Sequence, residues 1–207
     1  MADWRAVVFW LPTAPHGLPE LPAPALDPYL DAAARCFARH GVRHTTVQDV
    51  ARELRVNRTT VYRQVGGIDQ LLHLLFARDL HRLLAKVPGL VEQDRPGPER
   101  LVRLLCDLIT AVREHAVIAK VLADEPEVIG PVLTDDLPGV LDRITSVVAP
   151  LLARAMDEGL IARRDPDLLA EWLVRIAVTV LMSPPAAPLD TFLAELLLPA
   201  LTPRRSS

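Results

Sequence analysis

The chain has 207 residues, 50% of them apolar and only 4% aromatic, with a formal net charge of −3. That length is enough to bury a sizeable core in one or two domains, and the negative balance excludes a surface that is cationic all over while leaving room for one local basic face. Leu, Ala, Val and Arg dominate, residues that favour helices over strands, so the fold class expected is all-α.

Residues 1–26 form a Pro-rich arm ("LPTAPHGLPELPAPAL") that cannot hold a helix and reads as extended chain. Trp4, Phe9 and Trp10 are unusual for a solvated tail. The opening "MADWRAVVFWLP" has one Arg, a short apolar patch and no small-x-small cleavage site, so no signal peptide is expected. No apolar run approaches the roughly 20 residues that span a bilayer.

A first helix starts at Pro28, with Leu30, Ala33, Ala34, Phe37 and Ala38 on one side, and ends at Gly41. A second opens at Thr46, whose hydroxyl can cap the Asp49 amide, and buries Val47, Val50, Ala51 and Leu54. After a tight break at Arg55–Val56, a third opens at Asn57, another capping residue, with Val61 and Val65 as its plainly apolar positions. A fourth, over about 68–87, carries Leu71, Leu72, Leu75, Phe76, Leu80, Leu83 and Leu84. The charged joint "EQDRPGPER" then marks a domain boundary. Beyond it lie a helix over about 99–114, shorter pieces punctuated by Pro126, Pro131 and Pro138, two strong helices over about 139–158 and 167–182, and the closing "LDTFLAELLLPAL". The division expected is an arm (1–26), a first helical domain (27–72), a linking helix and joint (73–97), a second helical domain (98–202) and a tail (203–207).

Two capped helices around a tight break form a helix-turn-helix. Its second helix leaves Arg58, Thr59, Thr60, Tyr62, Arg63 and Gln64 for the outside. Such side chains suit duplex DNA: Arg donates two parallel hydrogen bonds to guanine, Thr offers a hydroxyl and a methyl, and Tyr and helix-terminal amides suit phosphate oxygens. Arg35, Arg39, Arg43, His44, Arg52 and Arg55 add positive charge nearby, so affinity should be strongly salt dependent. A solvated amphipathic hairpin is the bland alternative for a charged face.

At this point residues 28–76 resemble the amino-terminal domain of the tetracycline-repressor-like (TetR) family of bacterial transcriptional regulators. The runs that carry the resemblance are "YLDAAARCFARHG", "TTVQDVARELRVNRTTVYRQV" and "DQLL", with Thr-Val-Tyr at 60–62 where the family has Thr-Leu-Tyr. The resemblance implies a homodimer, acting as a repressor on a near-palindromic double-stranded operator, with third helices in successive major grooves. Carried over by position, Arg58, Thr59, Thr60, Tyr62 and Arg63 line the DNA and Thr46 meets a phosphate, with Arg55, Asn57 and Gln64 completing the set. Arg58 is expected to read a base and Tyr62 to position the backbone. The chain departs from the family pattern at Arg55, where Gly is common, at Val65, where an aromatic is missing, and at Ile68, which replaces a frequent Lys.

The helix "DLLAEWLVRIAVTVLM" is apolar nearly all round and must be covered on two sides. Leu169, Trp172, Leu173, Ile176 and Val180 on it, with Leu141, Ile144, Val148, Leu151 and Ala155 on the helix before, are the expected dimer interface, a four-helix arrangement that the family also uses. Leu104, Leu108, Val112, Val121 and Leu122 give apolar walls to any ligand pocket and His115 a polar point, which suits a small apolar or weakly polar ligand. The resemblance implies that ligand shifts the reading heads off the operator through the fourth helix.

Two rivals remain at this level. An enzyme would need a Gly-rich phosphate loop, a His-x-x-Glu-His cluster or a nucleophile elbow, and the chain has none, so no catalytic residue, cofactor or metal is expected. Its six histidines are scattered, and Cys36 and Cys106, in helical apolar patterns, read as small buried hydrophobes in a reducing bacterial cytoplasm, where the chain would work on the nucleoid. The second rival is a DNA-binding regulator that takes no small ligand and acts through protein partners.

Overall fold

A computed structural model describes residues 19–85, 97–125, 127 and 137–203. The arm residues Trp4, Phe9 and Trp10, most of the "EQDRPGPER" joint, Pro126, Pro131 and the tail after Pro203 lie outside these residues. Among the described residues the regular elements are a 3-10 turn (Pro24–Leu26) and nine α-helices: α1 (Asp27–His40), α2 (Val47–Leu54), α3 (Arg58–Val65), α4 (Ile68–Leu84), α5 (Pro98–Glu114), α6 (Ala116–Asp124), α7 (Leu137–Asp157), α8 (Pro166–Met182) and α9 (Leu189–Leu201). The all-α expectation holds, and no helix among the described residues is long and apolar enough to cross a membrane.

The described residues fall into two compact units, one drawn from Met1–Arg82 with Arg113–Val140 and the other from Leu83–Val112 with Leu141–Ser207. This differs from a single break near residue 97. The physical reason lies in α6. Its Val117 and Val121 face the same way at a step of four, and both are buried in the core of the first unit with Leu30, Phe37, Val50, Val61, Leu71 and Leu75.

Polar contacts fasten α6 at both ends. At its amino end, His115 Nε2 lies 3.0 Å from Asp79 Oδ2 on α4. At its carboxyl end, Glu125 is 3% exposed. The Glu125 carboxylate accepts the Val42 amide at 2.7 Å and the Arg43 amide at 3.2 Å, two donors in the turn that follows α1. Gly41 permits this approach: its φ is +83°, and a Cβ there would stand 2.5 Å from Glu125 Oε1.

A second polar cluster joins α4 to α1. Arg78 is buried, donating through Nη1 to Asp31 at 2.7 Å and Asp27 at 3.2 Å, and through Nε to Asp79 at 3.0 Å. Burial pushes the Asp79 carboxyl up, but the hydrogen bonds from His115 and Arg78 and the Arg78 charge outweigh it, leaving Asp79 below the usual carboxylate range.

The second unit has its own core, with Val102 and Ile109 of α5, Ala149, Leu152 and Met156 of α7, Ala170, Leu173 and Val180 of α8, and Leu193, Leu197 and Leu201 of α9. Asp165 caps α8 by accepting the amides of Asp167 and Leu168, both at 3.0 Å. The cysteines behave as apolar groups: Cys36 is 1% exposed, and burial pushes its thiol above the ordinary value.

Glu125→Ala removes a charged acceptor and leaves the buried Val42 amide unpaired. The expected loss of stability is about 3 kcal/mol, read as a lower urea midpoint at unchanged slope.

Candidate nucleic-acid interface

The site is built on α2, α3 and the turn between them. The turn before α2 is closed by a reciprocal cap. Thr46 Oγ1 accepts the Asp49 amide at 3.3 Å, and Asp49 Oδ2 accepts the Thr46 amide at 2.9 Å and its hydroxyl at 2.6 Å. Those bonds from Thr46, side chain first, hold the Asp49 carboxyl below its ordinary value, with smaller help from Arg52. Asn57 caps α3 by accepting the Thr59 amide at 3.0 Å. Both caps anticipated from sequence are therefore in place.

The short α3 is anchored by two residues, Val61 (0% exposed) and Val65 (2% exposed). Every four-residue step from Arg58 to Tyr62 and from Thr59 to Arg63 then falls on the outer side. Arg58, Thr59, Tyr62, Arg63 and Gln64 are exposed, Thr60 is half-buried, and Thr46, Arg55 and Asn57 are exposed beside them. All nine expected DNA-facing residues thus lie within residues 46–64, and each is exposed or half-buried.

The electrostatics are narrower than the composition suggests. Arg35 and Arg39 both reach Glu53, at 2.8 and 3.4 Å; Arg43 pairs with Glu127 at 2.6 Å and Arg52 with Asp49 at 3.0 Å. The expected wide halo of positive charge is therefore largely compensated. Arg55, Arg58 and Arg63, by contrast, have no acidic group or hydrogen-bond acceptor among the described residues. Three exposed guanidiniums without a partner among the described residues, in the same short turn and helix as an exposed phenol, offer donors suited to phosphate oxygens and base edges.

The residues expected around a ligand are divided. Val121 is core in the first unit, His115 is engaged with Asp79, and Leu122 is half-buried beside them, whereas Leu104, Leu108 and Val112 are half-buried on α5. None lines the two cavities described: one of about 290 Å³ between residues 19–26 and α4, bordered by Leu21, Leu26, His73 and Leu74, and one of about 360 Å³ at Ile161, Arg163 and Pro199. The residues expected at a dimer interface also differ in exposure. Leu141, Leu173 and Val180 are buried within the chain, and Val148, Ala155, Leu169 and Ile176 pack partly against the second core. Ile144 (41%), Leu151 (62%) and Trp172 (41%) stand exposed, with Leu168 and Met182 on the same outer stripe of α8 as Trp172.

Sequence reading missed Glu125 and Arg78. Glu125 carries no local signal, since a single acid after a helix usually faces water. Arg78 sits in a helix with many other arginines in the chain, and only the convergence of Asp27, Asp31 and Asp79 sets it apart.

Thr46→Ala should lower stability by about 1 kcal/mol in a urea titration at neutral pH. Because the folded pKa of Asp49 is below its unfolded value, the carboxylate's contribution is full above about pH 4 and is lost as the pH falls through the folded value. The difference between variant and parent should accordingly shrink on acidification.

Comparison with known proteins agrees with this geometry. Residues 30–75 match the family model "Bacterial regulatory proteins, tetR family". The chain is 23% identical over 153 residues to the HTH-type transcriptional regulator YhgD of Bacillus subtilis, covering 73% of this chain and 80% of that protein. Among solved structures it resembles the fatty acid degradation regulator FadR of Bacillus halodurans (TM-score 0.60, 20% identity, 86% of this chain and 97% of that one). It also resembles the TetR family repressor AlkX of Dietzia, implicated in biodegradation of n-alkanes (TM-score 0.60, 19% identity, 87% and 96%). At such identities the two structures speak to the fold, while the matched helix-turn-helix run speaks to the function. By that run, residues 30–75 form a DNA-binding domain of the tetR family of bacterial regulatory proteins, and the chain is a DNA-binding transcriptional regulator rather than an enzyme.

Proposed function

We propose that the chain works as a homodimeric repressor in the bacterial cytoplasm. It binds a near-palindromic operator and is released by a small apolar or weakly polar ligand. The observation that carries the DNA-reading part is the pair Arg58 and Arg63, uncompensated on the outer face of α3 next to exposed Tyr62, when the other arginines of α1 and α2 are paired. Arg58, in the first turn of the recognition helix, is the base reader. Tyr62 and Thr46 position phosphates, and Thr59, Thr60, Arg63 and Gln64 supply the remaining contacts, with Asn57 holding the amino end of the helix.

One eight-residue helix reads only a few base pairs, and duplication supplies the missing specificity. Two copies would meet half-sites about 34–36 Å apart. The exposed side chains Ile144, Leu151 and Trp172 suit a second copy, because apolar groups of that size on adjoining helices gain by leaving water. The more buried members of the expected interface serve that pairing indirectly, by shaping the helices. For the ligand, Leu104, Leu108 and Val112 on α5 are the apolar wall. Its chemistry is in keeping with the processes named for FadR and AlkX, fatty acid degradation and biodegradation of n-alkanes.

Arg58→Ala should leave the fold intact by circular dichroism and remove about 1–3 kcal/mol of discrimination at one base pair per half-site, measured on duplexes selected from a random pool. An undiminished sequence preference would exclude Arg58 as the base reader.

Leu151→Glu and Trp172→Glu change exposed positions and should each raise the dimer dissociation constant roughly 10-fold or more, equivalent to about 1.4 kcal/mol, by sedimentation. Unchanged association would put the interface on another face.

A further inference from the structure

The turn of the helix-turn-helix contains a local conflict. Arg55 N–H donates to Arg52 O at 3.1 Å and Val56 N–H to Ala51 O at 3.0 Å, the paired bonds of a Schellman ending. That ending needs a left-handed residue, and Arg55 supplies it with φ 57° and ψ 39°. Arg55 is the single non-glycine at positive φ among the described residues. An L side chain there brings its Cβ against the carbonyl, a penalty that Gly avoids.

The same chain solves the same problem differently elsewhere. At the end of α7, Gly159 N–H donates to Met156 O at 3.1 Å and Leu160 N–H to Ala155 O at 2.9 Å, with Gly159 at φ 72°. Two like endings in one molecule thus use Gly in one place and Arg in the other. Arg55 is exposed, and no hydrogen bond or ion pair of its side chain among the described residues offsets its conformation. It lies two residues before Asn57, the cap of the helix that presents Arg58.

We infer that Arg55 is a phosphate-binding residue whose unfavourable backbone conformation is retained for DNA affinity at the expense of stability. This rests on the DNA-reading role of α3 given above and deepens it. The left-handed residue leaves an exposed guanidinium in the turn, three residues before Arg58. Its contact is with the duplex backbone, common to all sequences, and it strengthens specific and non-specific binding alike. The structural rival is that the Arg55 charge merely complements the carboxyl end of α2.

The test compares the parent with Arg55→Gly and Arg55→Lys, using thermal melting and binding to a selected duplex and to a mixed-sequence duplex across a salt series. Arg55→Gly should melt at the parent temperature or higher. It should bind both duplexes more weakly by a similar factor, with the slope of log affinity against log salt reduced by about 0.9 per subunit. Arg55→Lys should keep most of that slope. A parent-like slope in Arg55→Gly overturns the inference, as does a lower melting temperature with affinity unchanged, the signature of the helix-end role. A loss confined to the selected duplex would make Arg55 a base reader and overturn it too. If the parent itself ignores both duplexes at low salt, the DNA-reading role fails along with it. If the parent binds and only the Arg55 effect is missing, the DNA-reading role stands.

Discussion

The carboxylate of Glu125, buried against the amides of Val42 and Arg43, is the contact on which the form of the reading unit depends. Those amides follow the last turn of α1 and precede the cap of α2, so their position sets where the helix-turn-helix begins. A charged acceptor in a water-poor site holds them more tightly than water would. With His115 joined to Asp79 at its other end, α6 belongs to the same body as α1 and α4. The unit that carries the recognition helix is thus completed by a segment far from it in sequence.

Charge is distributed with the same economy. Arg78 is buried and faces three carboxylates, which ties α4 to α1 and keeps a desolvated charge paired. Arg35, Arg39 and Arg52 are tied down by Glu53 and Asp49 on the helix-turn-helix itself. Such exposed pairs add little stability, yet they confine the unpaired positive charge to the turn and to α3. The contrast between paired and unpaired guanidiniums separates framework arginines from those available to a polyanion, a distinction that net charge alone hides.

The second unit follows a different logic. Its core is filled by Leu, Val, Ile, Ala and Met, chiefly from four helices, yet Ile144, Leu151, Leu168, Trp172 and Met182 remain outside that core and exposed. Arg175, in the middle of the α8 stripe, is held by Glu171 on its own helix, so its charge is locally compensated.

Much was legible in the chain because it rests on short-range chemistry. Helix periodicity, the caps at Thr46 and Asn57, the inward Val61 and Val65 and the outward polar set of α3 all depend on residues within a few positions of one another, and each follows from spacing alone. The all-α class and the helix-turn-helix were therefore determined by the sequence itself. The tertiary structure alone decided that α6 packs with the reading unit, that Glu125 and Arg78 are buried, which arginines are neutralised, and which apolar residues of α7 and α8 stay uncovered. Each of these depends on groups brought together from up to 84 positions apart, as Arg43 and Glu127 are. A linear pattern says which face of a helix is apolar, but not what that face will meet.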